Sequence, residues 1–311
     1  MPPEKWREYG DRSRTQAEHW YAGKTVSFEE LVDLRRANKF ENECTDEKFV
    51  TRNNANQKAI AHLAETLNRV SPDICIMLGD DQHEAFGDGN MPSIAIYHGD
   101  TVDDVPAQGG RMFSDPSVAN RPKDRTAHPA AAELGNYLLE SLAERDFDLT
   151  RVNKLADDMH DGSIGHAFYY IYRRLMNNEV IPSTPIMVNT YYPPNVPSAQ
   201  RSYNFGLAIR DAVEAWDTNK RVAIFASGGL SHTVIEEDLD NEILEGLKKD
   251  DVSKFTQFPD VRYRAGTSEI KNWIILAGAM SGRLQANVVD YVPCYRTEGG
   301  NGCAMGFAEW L

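Results

Sequence analysis

The stretch Ile74-Cys75-Ile76-Met77-Leu78-Gly79-Asp80-Asp81-Gln82-His83 decides the fold class. Its apolar residues run without interruption and stop at a glycine followed by polar side chains. So short a run, bounded by turn residues, reads as a strand buried on both faces. Strands of that kind belong to sheets covered by helices. Upstream, Ile60, Leu63, Leu67 and Val70 recur at three- and four-residue steps and predict a long helix, with another expected from Phe28 to Asn38. Downstream, Ser93 to Tyr97, Pro185 to Thr190, Val222 to Ala226 and Ala286 to Val292 read as strands. Helices are expected between them: one opened by Pro129 with Leu134, Leu138 and Leu142 on one face, and one from Ile164 to Met176. A third carries Phe205, Ile209, Ala212 and Trp216, and a fourth starts near Thr267 with Ile270, Trp273, Ile274 and Ala277. The alternation predicts an α/β fold, a single domain with a central mixed β-sheet covered by helices on both faces. Residues 99–127 contain Pro106, Gly109, Gly110, Pro116 and Pro122 without periodicity and read as a long functional coil. Glu298-Gly299-Gly300-Asn301-Gly302 reads as a C-terminal turn, with neither a P-loop lysine nor a dinucleotide fingerprint.

Composition narrows the partners. With 47 acidic and 33 basic side chains among 311 residues the formal charge is −14, which argues against a phosphate-tracking nucleic-acid binder. No apolar run approaches the roughly 18–20 residues of a membrane span, and no signal peptide opens the sequence. A cytoplasmic protein with a small-molecule partner is expected. The four cysteines, Cys44, Cys75, Cys294 and Cys303, form no C-x-x-C pair, so reduced thiols rather than a zinc knuckle are expected.

Ligands of open α/β sheets bind beyond the carboxyl ends of the strands. Three chemistry-bearing segments are expected there: Asp80 to His83, Tyr191 to Val196, and Ser227 to His232. In Ser227-Gly228-Gly229-Leu230-Ser231-His232 the glycines allow a sharp turn and close approach of a ligand, and His232 can transfer protons near neutrality. The same residues read equally as a tight turn with a hydrogen-bonded histidine. Ser231 lacks the second glycine of a nucleophile elbow. Asp80-Asp81-Gln82-His83-Glu84 offers oxygen and nitrogen metal donors, or a cap for the next element. Glu269, in Gly266-Thr267-Ser268-Glu269, suits a helix start on its own. His166 stands at a helix start among aromatics, and His128 precedes Pro129, which favours an extended backbone at a pocket rim.

Together these segments resemble the class III extradiol ring-cleavage dioxygenases, the protocatechuate 4,5-dioxygenase β-subunit superfamily, and most of all its 3-O-methylgallate dioxygenase type. The matching stretches are Leu78 to Gln82, Asn90 to Ile96, Ile181 to Pro194, Ala226 to His232, Ala265 to Ile270 and Gly302 to Phe307. The resemblance implies a non-haem Fe(II) site that cleaves a catechol- or gallate-like aromatic acid with O2, in a homo-oligomer. Under it Glu269 corresponds to the carboxylate ligand, His232 to the acid/base histidine, and His166 to a histidine touching substrate or oxygen. Tyr191, Tyr192, Ser227, Gly228, Gly229 and His128 would contact the substrate, and the 99–127 coil would cover the pocket. The family's first ligand histidine lies in a Ser-His-x-Pro segment on an opening strand, whereas this sequence starts Met1-Pro2-Pro3-Glu4-Lys5-Trp6, apparently beyond it. The second ligand position falls at Gln82, with His83 beside it. Two other readings stay open: a dioxygenase-like partner subunit or binding protein without catalysis, and a metal-dependent hydrolase using Asp80, Asp81 and His83.

Overall fold

The computed structural model describes residues 3–106 and 120–311, so much of the expected 99–127 coil, and its covering of a pocket, lies outside the described residues. In chain order the elements are α1 (Trp6–Arg14), β1 (His19–Tyr21), β2 (Lys24–Val26), α2 (Phe28–Arg35), α3 (Asp46–Val70), β3 (Ile74–Asp80), β4 (Ile94–Tyr97), β5 (Thr101–Asp104) and β6 (Thr126–Pro129). There follow α4 (Ala132–Ala143), β7 (Thr150–Val152), α5 (His166–Arg174), β8 (Ser183–Val188), α6 (Ala199–Ala215), β9 (Val222–Ala226) and β10 (His232–Val234). The chain ends with α7 (Glu237–Lys249), α8 (Ser253–Thr256), α9 (Ile270–Met280), β11 (Ala286–Tyr295) and β12 (Asn301–Trp310). Two compact units result. The first takes residues up to Leu63 with Gly229–Ile270 and Leu284–Leu311, the second Ala64–Gly228 with Lys271–Arg283.

The second unit is built on a five-stranded sheet in the order β7-β4-β8-β3-β9. β3 runs parallel to both neighbours, with Leu78 opposite Ile186 and Ala226, while β4 is antiparallel to β8 and parallel to β7, so the sheet is mixed as expected. Every residue of β3, β4 and β8 is buried, which is why these strands read as continuous apolar runs. Alternation sorts them onto two faces. Cys75 and Met77, with Ala95, Tyr97 and Met187, cluster with Phe168, Tyr169, Ile171 and Tyr172 of α5. Gly79 permits this approach, since a Cβ there would lie 2.7 Å from the Cβ of Ala167. α4 packs on β4 and β8, and its fully buried Leu134, Leu138 and Leu142 lie outside that cluster, on the opposite face. Each such leucine contributes about 1.5–3 kcal/mol of burial.

In the first unit β11 and β12 form a long antiparallel pair, and β10 adds to the other edge of β12 with His232 opposite Cys303. α7 covers β11, burying Leu239, Ile243, Leu244 and Leu247.

Several boundaries differ from the sequence reading. The glycine-rich 298–302 segment does turn the chain, Gly300 N–H donating to Thr297 O at 3.0 Å with Gly300 at φ +78°, but the turn is a hairpin that joins β11 to β12, and Asn301 and Gly302 already belong to β12. The ends of the expected 99–127 coil pair as β5 and β6, Val102 opposite His128. Pro129 therefore closes β6, and α4 starts at Ala132. No helix of the described residues is long and apolar enough to cross a membrane, and all four cysteines are free thiols.

Candidate active site

The first unit places His232 at the start of β10 and Glu269 at the end of a 3-10 turn, Ala265–Glu269, that leads into α9. His232 Nε2 lies 3.1 Å from Glu269 Oε1, and the other carboxylate oxygen accepts the Gly229 N–H at 2.6 Å. The opposite ring nitrogen, Nδ1, lies 2.8 Å from the carbonyl of Leu230. A carbonyl and a carboxylate oxygen only accept, so the two contacts together call for a proton on each ring nitrogen, and the one on Nε2, facing the carboxylate, is the one the ring can exchange. Glycines make the room. A Cβ on Gly266 would overlap the His232 ring and backbone, and one on Gly229 would lie 3.0 Å from Cys303 Sγ and 3.1 Å from His232 Nδ1. Thr267 Oγ1 donates to the His232 carbonyl at 3.0 Å.

Ser231 is anchored from beneath. Asp240, fully buried, accepts the Ser231 N–H at 2.8 Å, the Ser231 hydroxyl at 2.7 Å and the Tyr291 hydroxyl at 2.7 Å. Burial pushes its carboxyl up to about 6, against the pull of those hydrogen bonds.

The second unit gathers its polar residues at the carboxyl ends of β3, β8 and β9. Ser227 N–H donates to Leu78 O at 2.9 Å and Asp81 N–H to Val188 O at 3.4 Å. Gln82 Nε2 donates to Asp80 Oδ2 at 2.8 Å. Asp81 caps the loop instead, accepting the Ala85 and Phe86 N–H groups at 2.7 and 3.3 Å, and burial raises it to about 6. His83, at φ +59°, lies flat on Tyr192 with ring centres 3.8 Å apart, and its Nε2 is 3.2 Å from Asp88. Glu84 accepts the His166 N–H at 2.9 Å with one oxygen and meets His166 Nδ1 at 2.6 Å with the other.

Residues 46–305 match the family described as "Catalytic LigB subunit of aromatic ring-opening dioxygenase". The chain belongs to this family. Gallate dioxygenase of Pseudomonas putida is 25% identical over 184 residues, 55% of this chain and 52% of that protein. The chain thus spans about half the length of this curated relative.

Within this LigB-family chain the expected site residues fall into sets. Glu269 is in contact with both His232 and Gly229 in the first unit. In the second, Ser227 and Gly228 offer their carbonyls to Asn272 Nδ2 at 2.9 Å and Trp273 Nε1 at 3.0 Å. Tyr191 is 38% exposed, and the turn it opens is braced by Asn189, which donates to Tyr192 O at 2.7 Å and accepts Tyr192 N–H at 2.8 Å. Burial raises the Tyr192 hydroxyl to about 12. His128 is buried on β6, 3.7 Å from Asp104 and with its ring 4.8 Å from that of Tyr172. Reading the sequence missed the pairing of Glu84 with His166 and the Asp240 anchor under Ser231. The one signal for the first was Gly165 immediately before His166: a Cβ there would lie 2.8 Å from Glu84 Oε2.

Proposed function

We propose that this chain is an extradiol ring-cleaving dioxygenase that opens a catechol- or gallate-like aromatic acid with O2, using non-haem Fe(II). The observation that carries the reading is the His232–Glu269 pair, inside a family match that extends over residues 46–305. The donor chemistry fits the metal: the buried carboxylates of Glu269 and Asp80, the Gln82 amide and the His83 imidazole are the oxygen and nitrogen groups that ferrous iron takes. Glu269 is the proposed carboxylate ligand. Of the two candidates for the next position, Gln82 is hydrogen-bonded to Asp80, whereas the His83 ring is stacked on Tyr192, which favours Gln82 with Asp80. Iron, when bound, supplies Lewis acidity toward the ring hydroxyls and electron transfer to dioxygen.

His232 takes a hydroxyl proton at Nε2 and returns it as the ring opens. Nδ1–H stays committed to Leu230 O, so the exchange runs at Nε2, the nitrogen that faces Glu269. His166 contacts a substrate oxygen, the Tyr191–Tyr192 turn walls the ring, and the Ser227-Gly228-Gly229 backbone leaves space for it. His128 is the remaining candidate for a substrate contact, and a homo-oligomer, measurable by light scattering, belongs to the same proposal.

Protein loaded anaerobically with Fe(II) and offered gallate, 3-O-methylgallate or protocatechuate should consume one O2 per ring opened and change the near-ultraviolet spectrum. Bound iron with no turnover of any catechol overturns the enzymatic reading. Lack of stoichiometric iron in protein purified without oxygen points to a dioxygenase-like binding protein instead.

A further inference from the structure

We propose that Glu84 is a positioning residue for His166: it holds the imidazole with its proton on Nδ1 and so presents Nε2 as an acceptor to a hydroxyl of the aromatic diol. This rests on the proposed ring-cleavage reading and extends it to a second proton acceptor.

The geometry is two-pronged. Glu84 Oε1 accepts the backbone N–H of His166, the first residue of α5, at 2.9 Å, and Oε2 lies 2.6 Å from its Nδ1. An ionised carboxylate has only acceptors, so the proton in the second contact belongs to the imidazole. In the neutral ring the lone pair must then be on Nε2. The side chain of Glu84 is 9% exposed and that of His166 37% exposed, so the carboxylate holds the ring from the buried side. Two features fix the arrangement. Glycine at 165 leaves space for Oε2, and Asp81 pins the residues after Glu84 through the Ala85 and Phe86 N–H groups.

A carboxylate on Nδ1 does two things to an imidazole: it fixes the tautomer, and it stabilises the imidazolium formed when Nε2 takes a proton. A vicinal diol has two hydroxyl protons to release. His166 Nε2, in this proposal, takes one of them, becomes imidazolium against Glu84, and gives the proton back when product leaves.

Glu84→Gln tests this with little change of shape. The amide oxygen still accepts the backbone N–H, but the NH2 group can only donate to Nδ1, which forces the imidazole proton to Nε2. Long-range 1H–15N spectra of the full chain read the tautomer, with His166 identified by the signals lost in His166→Asn. The expected results are Nδ1–H in the wild type, Nε2–H in Glu84→Gln, and ring-cleavage kcat lower by about 100-fold. A wild-type His166 protonated at Nε2, a tautomer unchanged by Glu84→Gln, or wild-type kcat in a protein whose tautomer has switched each overturns the proposal. The wild-type spectrum needs neither turnover nor a folded variant. A chain that cleaves no catechol but shows the expected tautomers overturns the ring-cleavage reading, and with it the proton transfer, while the positioning by Glu84 stands.

Discussion

The Glu269 carboxylate joins the His232 imidazole to the Gly229 backbone, one oxygen 3.1 Å from Nε2 and the other accepting the Gly229 N–H at 2.6 Å. One buried side chain thus orders both the glycine turn and the histidine that follows it. Separate roles for the two residues lead to separable losses. His232→Gln should bind iron as the wild type does and lose about 100-fold or more in kcat, the usual worth of a positioned acid/base group. Glu269→Gln should lose iron first, and activity as a consequence. Iron per chain and O2 uptake, measured on the same preparations, distinguish the two. Wild-type turnover by His232→Gln would remove this histidine from the mechanism.

Gly266 should tolerate no side chain. A Cβ there would meet the His232 ring and would lie 2.5 Å from the His232 carbonyl oxygen, and backbone cannot move aside cheaply. Gly266→Ala is therefore expected to cost about 1–3 kcal/mol of stability and to lower kcat beyond what the lost stability explains. Gly89→Ala serves as the control, because nothing lies within 4 Å of its added methyl. Equal kcat for the two variants would show that the close approach to His232 is not needed for activity.

Asp240 makes stability depend on pH in a defined direction. Its carboxyl titrates near 6 in the folded protein, because burial penalises the charge, and near the ordinary carboxylate value when unfolded. The unfolded state releases this proton first as pH rises. The stability contribution is thus complete below about pH 4 and is lost by the time pH passes 6, a change of about 2–3 kcal/mol. Asp240→Asn keeps an acceptor for the Ser231 N–H and cannot ionise, so its melting temperature should gain on the wild type between pH 4 and pH 7. Asp240→Ala leaves that N–H buried and unpaired and should cost about 1–3 kcal/mol at any pH. A constant difference between wild type and Asp240→Asn across that range would exclude a buried titrating carboxyl.

The sheet was legible because burial writes itself as unbroken apolar runs: Ile74 to Leu78 lies in the fully buried interior strand β3, and Val222 to Ala226 is β9, the half-buried edge strand beside it. β12 was hidden by its glycines. Gly302 reads as a turn residue, yet in the structure its missing Cβ leaves room for the Cys294 carbonyl on β11. α7 carried an ordinary helical signal in Leu239, Ile243 and Leu247, and was passed over between more conspicuous motifs. The site was legible where partners are near in sequence, as in the turn that ends at His232. Glu84 and His166 stand 82 positions apart, and only folding brings such a pair together. Asp80 and Asp81 show the opposite difficulty: adjacent and chemically alike, one takes the Gln82 amide and the other the loop N–H groups, a division that no residue type announces.

That division sets the last prediction, which concerns the second metal position. His83 gives its ring face to Tyr192, and its Nε2, 3.2 Å from Asp88, makes no hydrogen bond among the described residues. Gln82 instead donates to Asp80, which is 1% exposed at the end of β3. If metal is held from this segment by Asp80 with Gln82, His83→Ala should keep iron near the wild-type level and lose only the stacking on Tyr192, worth about 0.5–1.5 kcal/mol. Asp80→Asn should weaken iron binding by at least about 10-fold, because a neutral amide replaces a charged oxygen donor. Gln82→Ala should lie between them, removing the group that orients Asp80. Iron titration of the three variants under anaerobic conditions orders them. Loss of iron in His83→Ala, with full occupancy in Asp80→Asn, would assign the ligand to the imidazole and require the loop to turn inward when metal binds.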